Sequence, residues 1–143
     1  MRLPLSSGET VLRTYSLSGD PAVRTHWRIS VKREAGGVAV QAGRGSSHLH
    51  VHVRVGDELE LAGPSGAFVC GDDIARPVVL LSGGVGMTPL VSMLHRLRAM
   101  DGAQARRVHF IHACESGAVH AFREEVEAVA AAHSNVHVHI CYR

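Results

Sequence analysis

The sequence predicts a β-rich first part joined to an α/β second part with a doubly wound parallel sheet. Three observations carry that prediction. The pattern changes character near Arg76-Pro77; apolar strand-like runs alternate with helical runs after it; and a glycine-rich turn links the first of those strands to its helix. With 143 residues the chain is long enough for one good core or for two small domains. The expected division is residues 1–73 and residues 74–143.

In the first part, the runs 11–17, 27–33 and 58–61 read as strands. Ser18-Gly19-Asp20-Pro21 and Ala35-Gly36-Gly37 read as turns between them. In the second part, Val78-Val79-Leu80-Leu81 is a continuous apolar run, expected of a strand buried on both faces. Leu90, Val91, Leu94, Leu97 and Met100 then recur at spacings of three and four, which predicts one apolar face of a helix. Residues 108–113 read as a second strand, 119–132 as a second helix rich in Ala and Glu, and 136–141 as a third strand. Strands separated by helices of this length imply right-handed crossovers and a parallel sheet.

Composition excludes several classes. Net charge is +2 and no Lys/Arg run forms a patch, so nucleic acid is not an expected partner. Cys70, Cys114 and Cys141 are scattered with no CxxC pair, which suits free thiols in a reducing compartment. No apolar run reaches membrane-spanning length and the N-terminus lacks a signal layout, so the expectation is a cytoplasmic protein without a membrane partner.

The strongest chemical signal is Leu81-Ser82-Gly83-Gly84-Val85-Gly86-Met87-Thr88-Pro89. Glycines permit a sharp turn and close approach of the backbone to a ligand. Thr88 is the expected N-cap and Pro89 the first helical residue. The free N–H groups and dipole of such a helix end attract a diphosphate. The spacing Gly84-x-Gly86-x-x-Pro89 lacks the third glycine of the full dinucleotide fingerprint, and a tight strand-to-helix turn without any ligand is the even alternative.

Four segments in order give the glycine turn a context: Arg13-Thr14-Tyr15-Ser16; Arg28 to Arg33 with Gly36-Gly37-Val38; Gly56-Asp57 through Gly63-Pro64-Ser65-Gly66-Ala67-Phe68; and Gly83 to Pro89. Together they resemble the ferredoxin–NADP reductase superfamily, and most nearly the reductase modules of flavohaemoglobins and of iron–sulfur oxygenase-type reductases. The stretches His109 to Ala113 and Val119 to Arg123 also resemble flavohaemoglobin reductase sequence. The resemblance covers nearly the whole chain. It implies a partial flavin-binding β-barrel over 1–73 and a partial NAD(P)-binding α/β domain over 74–143. The implied cofactor is FAD, with FMN as the alternative, and the implied substrate NADH or NADPH.

The resemblance also implies roles residue by residue. Arg13 would offer a bidentate fork to a flavin phosphate. Tyr15 would lie against the isoalloxazine or ribityl chain, and Ser16 would hydrogen-bond near flavin N5. These two are the residues expected at the reacting centre. Lys32 would run beside the flavin, with a solvated strand lysine as the equal alternative. Gly83, Gly84, Val85, Gly86, Met87 and Thr88 would hold the nicotinamide nucleotide. Electrons would pass on to an iron–sulfur or haem domain or protein.

Two departures stand out. The family's compact Gly-Val-Ser segment is here Gly37-Val38 followed by an insertion, so Ser46 and Ser47 are the residues expected to take the serine role. The chain also looks truncated at both ends relative to the family, and unpaired strand edges of an incomplete barrel favour oligomerisation. The alternative function is therefore a non-catalytic nucleotide-binding or interaction module.

Eleven histidines are present. On a strand, His48, His50 and His52 would share one face and could bind zinc. The family places a short helix there, which aligns only His48 with His52, and no metal site is expected. Partly exposed strand residues are the better reading of His109, His137 and His139. Cys114 ends the second parallel strand, and Glu115 after it is a candidate to accept a ribose hydroxyl, with a solvated loop residue as its alternative.

Overall fold

The computed structural model describes residues 1–71, 76–98, 100 and 106–143. The chain divides into two compact units, Met1–Tyr15 with Ser30–Ala67, and Ser16–Ile29 with Phe68–Arg143. The expected junction between residues 73 and 74 lies outside the described residues.

In the first unit, β1 (Arg2–Pro4) and β2 (Thr10–Leu12) form an antiparallel pair. Leu3 faces Val11 across it, and both are buried. Around this pair the backbone is held by single bridges, such as Arg2 with Glu60 and Gly37 with Val40. The runs expected as strands over 11–17, 27–33 and 58–61 are thus mostly irregular. Strand propensity becomes a strand only where a neighbour completes the ladder, and here the ladders shrink to one bridge. The turn expected at residues 35–37 falls slightly later, at Val38-Ala39 between the bridged Gly37 and Val40, and Gly36 before it has φ 80°, a left-handed value that suits glycine. Helix α1 (Arg44–Val51) follows, where the resemblance placed a short helix.

The second unit is built on a parallel sheet of β3 (Val78–Gly83), β4 (Val108–Cys114) and β5 (Val136–Tyr142), in that order. Helices α2 (Met87–Arg98) and α3 (Arg123–Ala132) make the crossovers. Leu90, Val91, Leu94 and Leu97 of α2 and Val126 and Val129 of α3 pack with Leu80, Val108, Phe110 and Val136 of the sheet in one core. Both helices therefore cover the same sheet face. Met100 lies beyond α2 and packs against this core.

Two expectations are corrected here. β3 is not buried on both faces: Val79 and Leu81 are 58% and 70% exposed. An apolar run signals a covered strand, but only its alternate residues meet α2 and α3. The second helix does not start at Val119. Gly117–Val119 forms a 3-10 turn, and Phe122, at φ 57°, breaks the chain into α3.

Candidate functional site

The glycine turn is a strand, a 3-10 turn and a helix in direct succession: β3 ends at Gly83, Gly84–Gly86 forms the turn, and α2 starts at Met87. Gly84 has φ 50°, which only glycine adopts without a steric cost. A β-carbon on Gly84 or Gly86 would meet nothing within 4 Å, so their outer surface is open. Thr88 is not the N-cap. Its hydroxyl donates back to the Val85 carbonyl at 3.2 Å from inside the helix. Pro89 is accordingly the third helical residue, still in the first turn, where a missing N–H leaves no intrahelical bond unmade. Met87 is fully buried and Thr88 nearly so. Neither side chain is open to a ligand, whereas Val85 is half exposed.

The arginine–tyrosine segment meets α1 in the first unit. A β-carbon on Gly45 would stand 2.8 Å from Arg13 Cγ and 3.3 Å from Tyr15 Oη, so both side chains cross over this helix's first turn. Ser46 is engaged locally: its hydroxyl donates to the Gly43 carbonyl and accepts the Glu34 N–H, each at 3.2 Å. Ser47 Oγ is buried with no hydrogen-bond partner among the described residues. An unpartnered buried hydroxyl costs about 1–3 kcal/mol. Burial raises the pKa of Tyr15, with Arg13 opposing, so the phenol stays protonated at neutral pH. Arg13, Tyr15, Ser46, Ser47 and the free N–H groups of α1 thus gather around Gly45, a residue that the sequence did not single out. Its signal was available in Gly45-Ser46-Ser47, a small residue ahead of two hydroxyls.

Other expected residues make contacts of their own. Lys32 is exposed and paired with Glu34 at 3.5 Å. Ser16 is exposed and opens the second unit. Glu115 is exposed in the loop after β4, and Cys114 Sγ contacts the Ser116 carbonyl at 3.7 Å. His48 of α1 and His52, just past its end, have ring centres 5.3 Å apart, while the ring of His50 contacts the Val31 carbonyl at 2.7 Å. His109 stacks on His137 and His139 of the exposed sheet face. Among the described residues no group of three His, Cys, Asp or Glu could hold a metal ion. No described helix is long and apolar enough to cross a membrane.

Comparison with known proteins fits this arrangement. The oxidoreductase NAD-binding domain family matches residues 80–143, from β3 through β5. A flavohemoprotein of Bordetella pertussis is 47% identical over 130 residues, covering 91% of this chain. The flavohem-like FAD/NAD-binding domain of nitric oxide dioxygenase from Vibrio cholerae superposes with TM-score 0.86 at 35% identity, over 99% of this chain. The chain has the fold of the ferredoxin–NADP reductase superfamily. A ferredoxin–NADP+ reductase of Plasmodium falciparum, at 17% identity and TM-score 0.80 over 99% of this chain and 54% of that one, shares the superfamily fold. The chain spans 31% of the Bordetella flavohemoprotein and 57% of the Vibrio chain. Its two compact units carry the small antiparallel sheet and the parallel sheet of this superfamily.

Proposed function

We propose that this chain is the reductase module of a flavin-dependent oxidoreductase, in which hydride from NADH or NADPH reduces a bound flavin. The observation that carries the reading is the Vibrio FAD/NAD-binding domain, which matches this chain along 99% of its length. FAD is the proposed flavin, with FMN as the alternative. The acceptor would be a haem or iron–sulfur group, in line with the flavohemoprotein relatives.

The residues present fit both groups. Around Gly45, Arg13 supplies a permanent cation, α1 its first-turn N–H groups, and Ser47 an unspent hydroxyl. That donor set suits a flavin phosphate. Gly83, Gly84, Val85 and Gly86, with the main chain of Met87 and Thr88, suit the diphosphate of a nicotinamide nucleotide. Nothing fills the space above Gly84 and Gly86, and the α2 dipole favours an anion there. Flavin, when bound, accepts the hydride and passes electrons on singly. The chain's own contribution is to bind, orient and shield. Tyr15 and Ser16 are the side chains proposed to lie at the reacting end, and Lys32 is proposed beside the flavin.

The absorption spectrum tests the reading. Purified protein given FAD or FMN is expected to show the flavin bands, and NADH or NADPH to bleach them. Protein that remains colourless after either flavin is added would sink it.

A further inference from the structure

A line of polar side chains runs inside the second unit, under the carboxyl edge of the sheet. Ser82 Oγ lies 2.8 Å from His112 Nδ1. The His112 ring, only 1% exposed, stacks on His120 with ring centres 5.1 Å apart and planes at 28°. His120 Nδ1 lies 3.0 Å from Tyr142 Oη. His120 is 8% exposed, and its Nε2 is buried without a partner among the described residues. Nothing in the function proposed above uses these four residues.

Their placement is specific. Ser82 directly precedes Gly83-Gly84, where the backbone enters the left-handed region. His112 is its register partner on β4, and Tyr142 is the last residue of β5. His120 closes the 3-10 turn after β4, with its N–H on the Gly117 carbonyl at 3.4 Å. Two residues later Phe122 holds a left-handed conformation that non-glycine residues rarely adopt. The line therefore ties the glycine turn after β3 to the strained loop after β4 and to the end of β5. Ligands of parallel sheets lie in the crevice outside these carboxyl ends.

We propose that the stacked His112–His120 pair, linked to Ser82 and Tyr142, is a positioning element that holds the two carboxyl-edge loops in nucleotide-binding geometry. This rests on the function proposed above. A packing role alone would be served by apolar side chains such as Phe110 and Val108 on the same strand face, which need no partners. A neutral imidazole can accept at one nitrogen and donate at the other, so the pair fixes direction as well as distance. Neutrality is favoured at the site: burial lowers the pKa of both rings, His120 lowers His112 further, and for His120 Arg123 adds to the effect while Glu127 opposes it. Two stacked imidazoles also disfavour a shared double charge.

The test is titration of NADH and NADPH into the full chain, together with KM, kcat and melting temperature. His120→Phe keeps a stacked ring and deletes the bond to Tyr142. Tyr142→Phe deletes the same bond at an exposed rim and carries the test if His120→Phe does not fold. Each is expected to weaken nucleotide binding and raise KM about three- to tenfold, the worth of one hydrogen bond, with kcat and melting temperature nearly unchanged. Folded Phe variants that bind as tightly as the parent overturn the proposal. A parent chain that binds neither nucleotide overturns the functional reading itself, and this proposal with it.

Discussion

Glu125 on α3 and Arg28 on the Ser16–Ile29 segment form an ion pair at 2.7 Å, and the same carboxylate oxygen meets His95 Nε2 of α2 at 2.5 Å. Arg28 also lies over the Phe122 ring, 5.4 Å from its centre, and donates to the Ser18 carbonyl. One carboxylate therefore joins α2, α3 and the segment that runs beside them. Glu125→Ala would leave a partly buried guanidinium short of its counter-charge. The expected loss is about 1–3 kcal/mol, read as a lowered urea midpoint with unchanged slope. A midpoint equal to that of the parent would show the pair to be dispensable.

Acid should weaken this unit in two stages. Burial lowers the pKa of His112 and His120, so the unfolded chain takes up their protons first. Stability is then expected to fall as pH drops below about 6.5, the ordinary histidine value. For Asp20, the Ala22 N–H and Arg98 hold the pKa down. For Glu125, burial pushes upward, but the bonds from Arg28 and His95 outweigh it. Both carboxylates contribute stability above their unfolded pKa and lose it below, which adds a second fall under about pH 4. Thermal melts from pH 8 to 3 should show both falls. A flat profile between pH 7 and 5 would contradict the buried neutral histidines.

Gly84 cannot accept a side chain cheaply, despite the open space around it. At φ 50° an alanine is expected to cost about 1–2 kcal/mol through backbone strain alone. Gly86→Ala, at a glycine outside the left-handed set, should cost little stability. Its β-carbon would instead enter the space proposed for the nucleotide. The two variants should therefore separate, the first in melting temperature and the second in NADH or NADPH affinity.

Gly45→Ala should disturb the proposed flavin site through Arg13. The new methyl would sit 2.8 Å from Arg13 Cγ, which lies too near the backbone to swing clear without moving the guanidinium. Flavin affinity is expected to fall by about tenfold or more, as for Arg13→Ala, given about 1.5–3 kcal/mol for a charged hydrogen bond. Equal flavin retention by parent, Gly45→Ala and Arg13→Ala on desalting would place the phosphate elsewhere.

Leu81→Ser should be nearly neutral in this chain, within about 0.5 kcal/mol, because the side chain is 70% exposed. Leu80→Ser, one residue away and 4% exposed, should cost about 2–5 kcal/mol in the same denaturation assay. Equal losses would mean that the outer sheet face is covered in solution.

The alternation of apolar and glycine-rich runs after Arg76 was enough to determine the three parallel strands, the two helices and the turn between β3 and α2. Those signals are local, since periodicity and turn chemistry are written in adjacent residues. The order of the four motifs likewise pointed to the fold of ferredoxin–NADP reductases. The tertiary structure alone decided which face of the sheet is covered, because an apolar run reads the same whether one face or two are packed. It also decided that the first unit keeps one short antiparallel pair and otherwise single bridges, since strand pairing depends on distant partners. The His112–His120 pair was hidden for the same reason. Two histidines eight positions apart, one on a strand and one in a loop, meet only when the loop after β4 folds back, and burial then makes them neutral partners rather than surface charges.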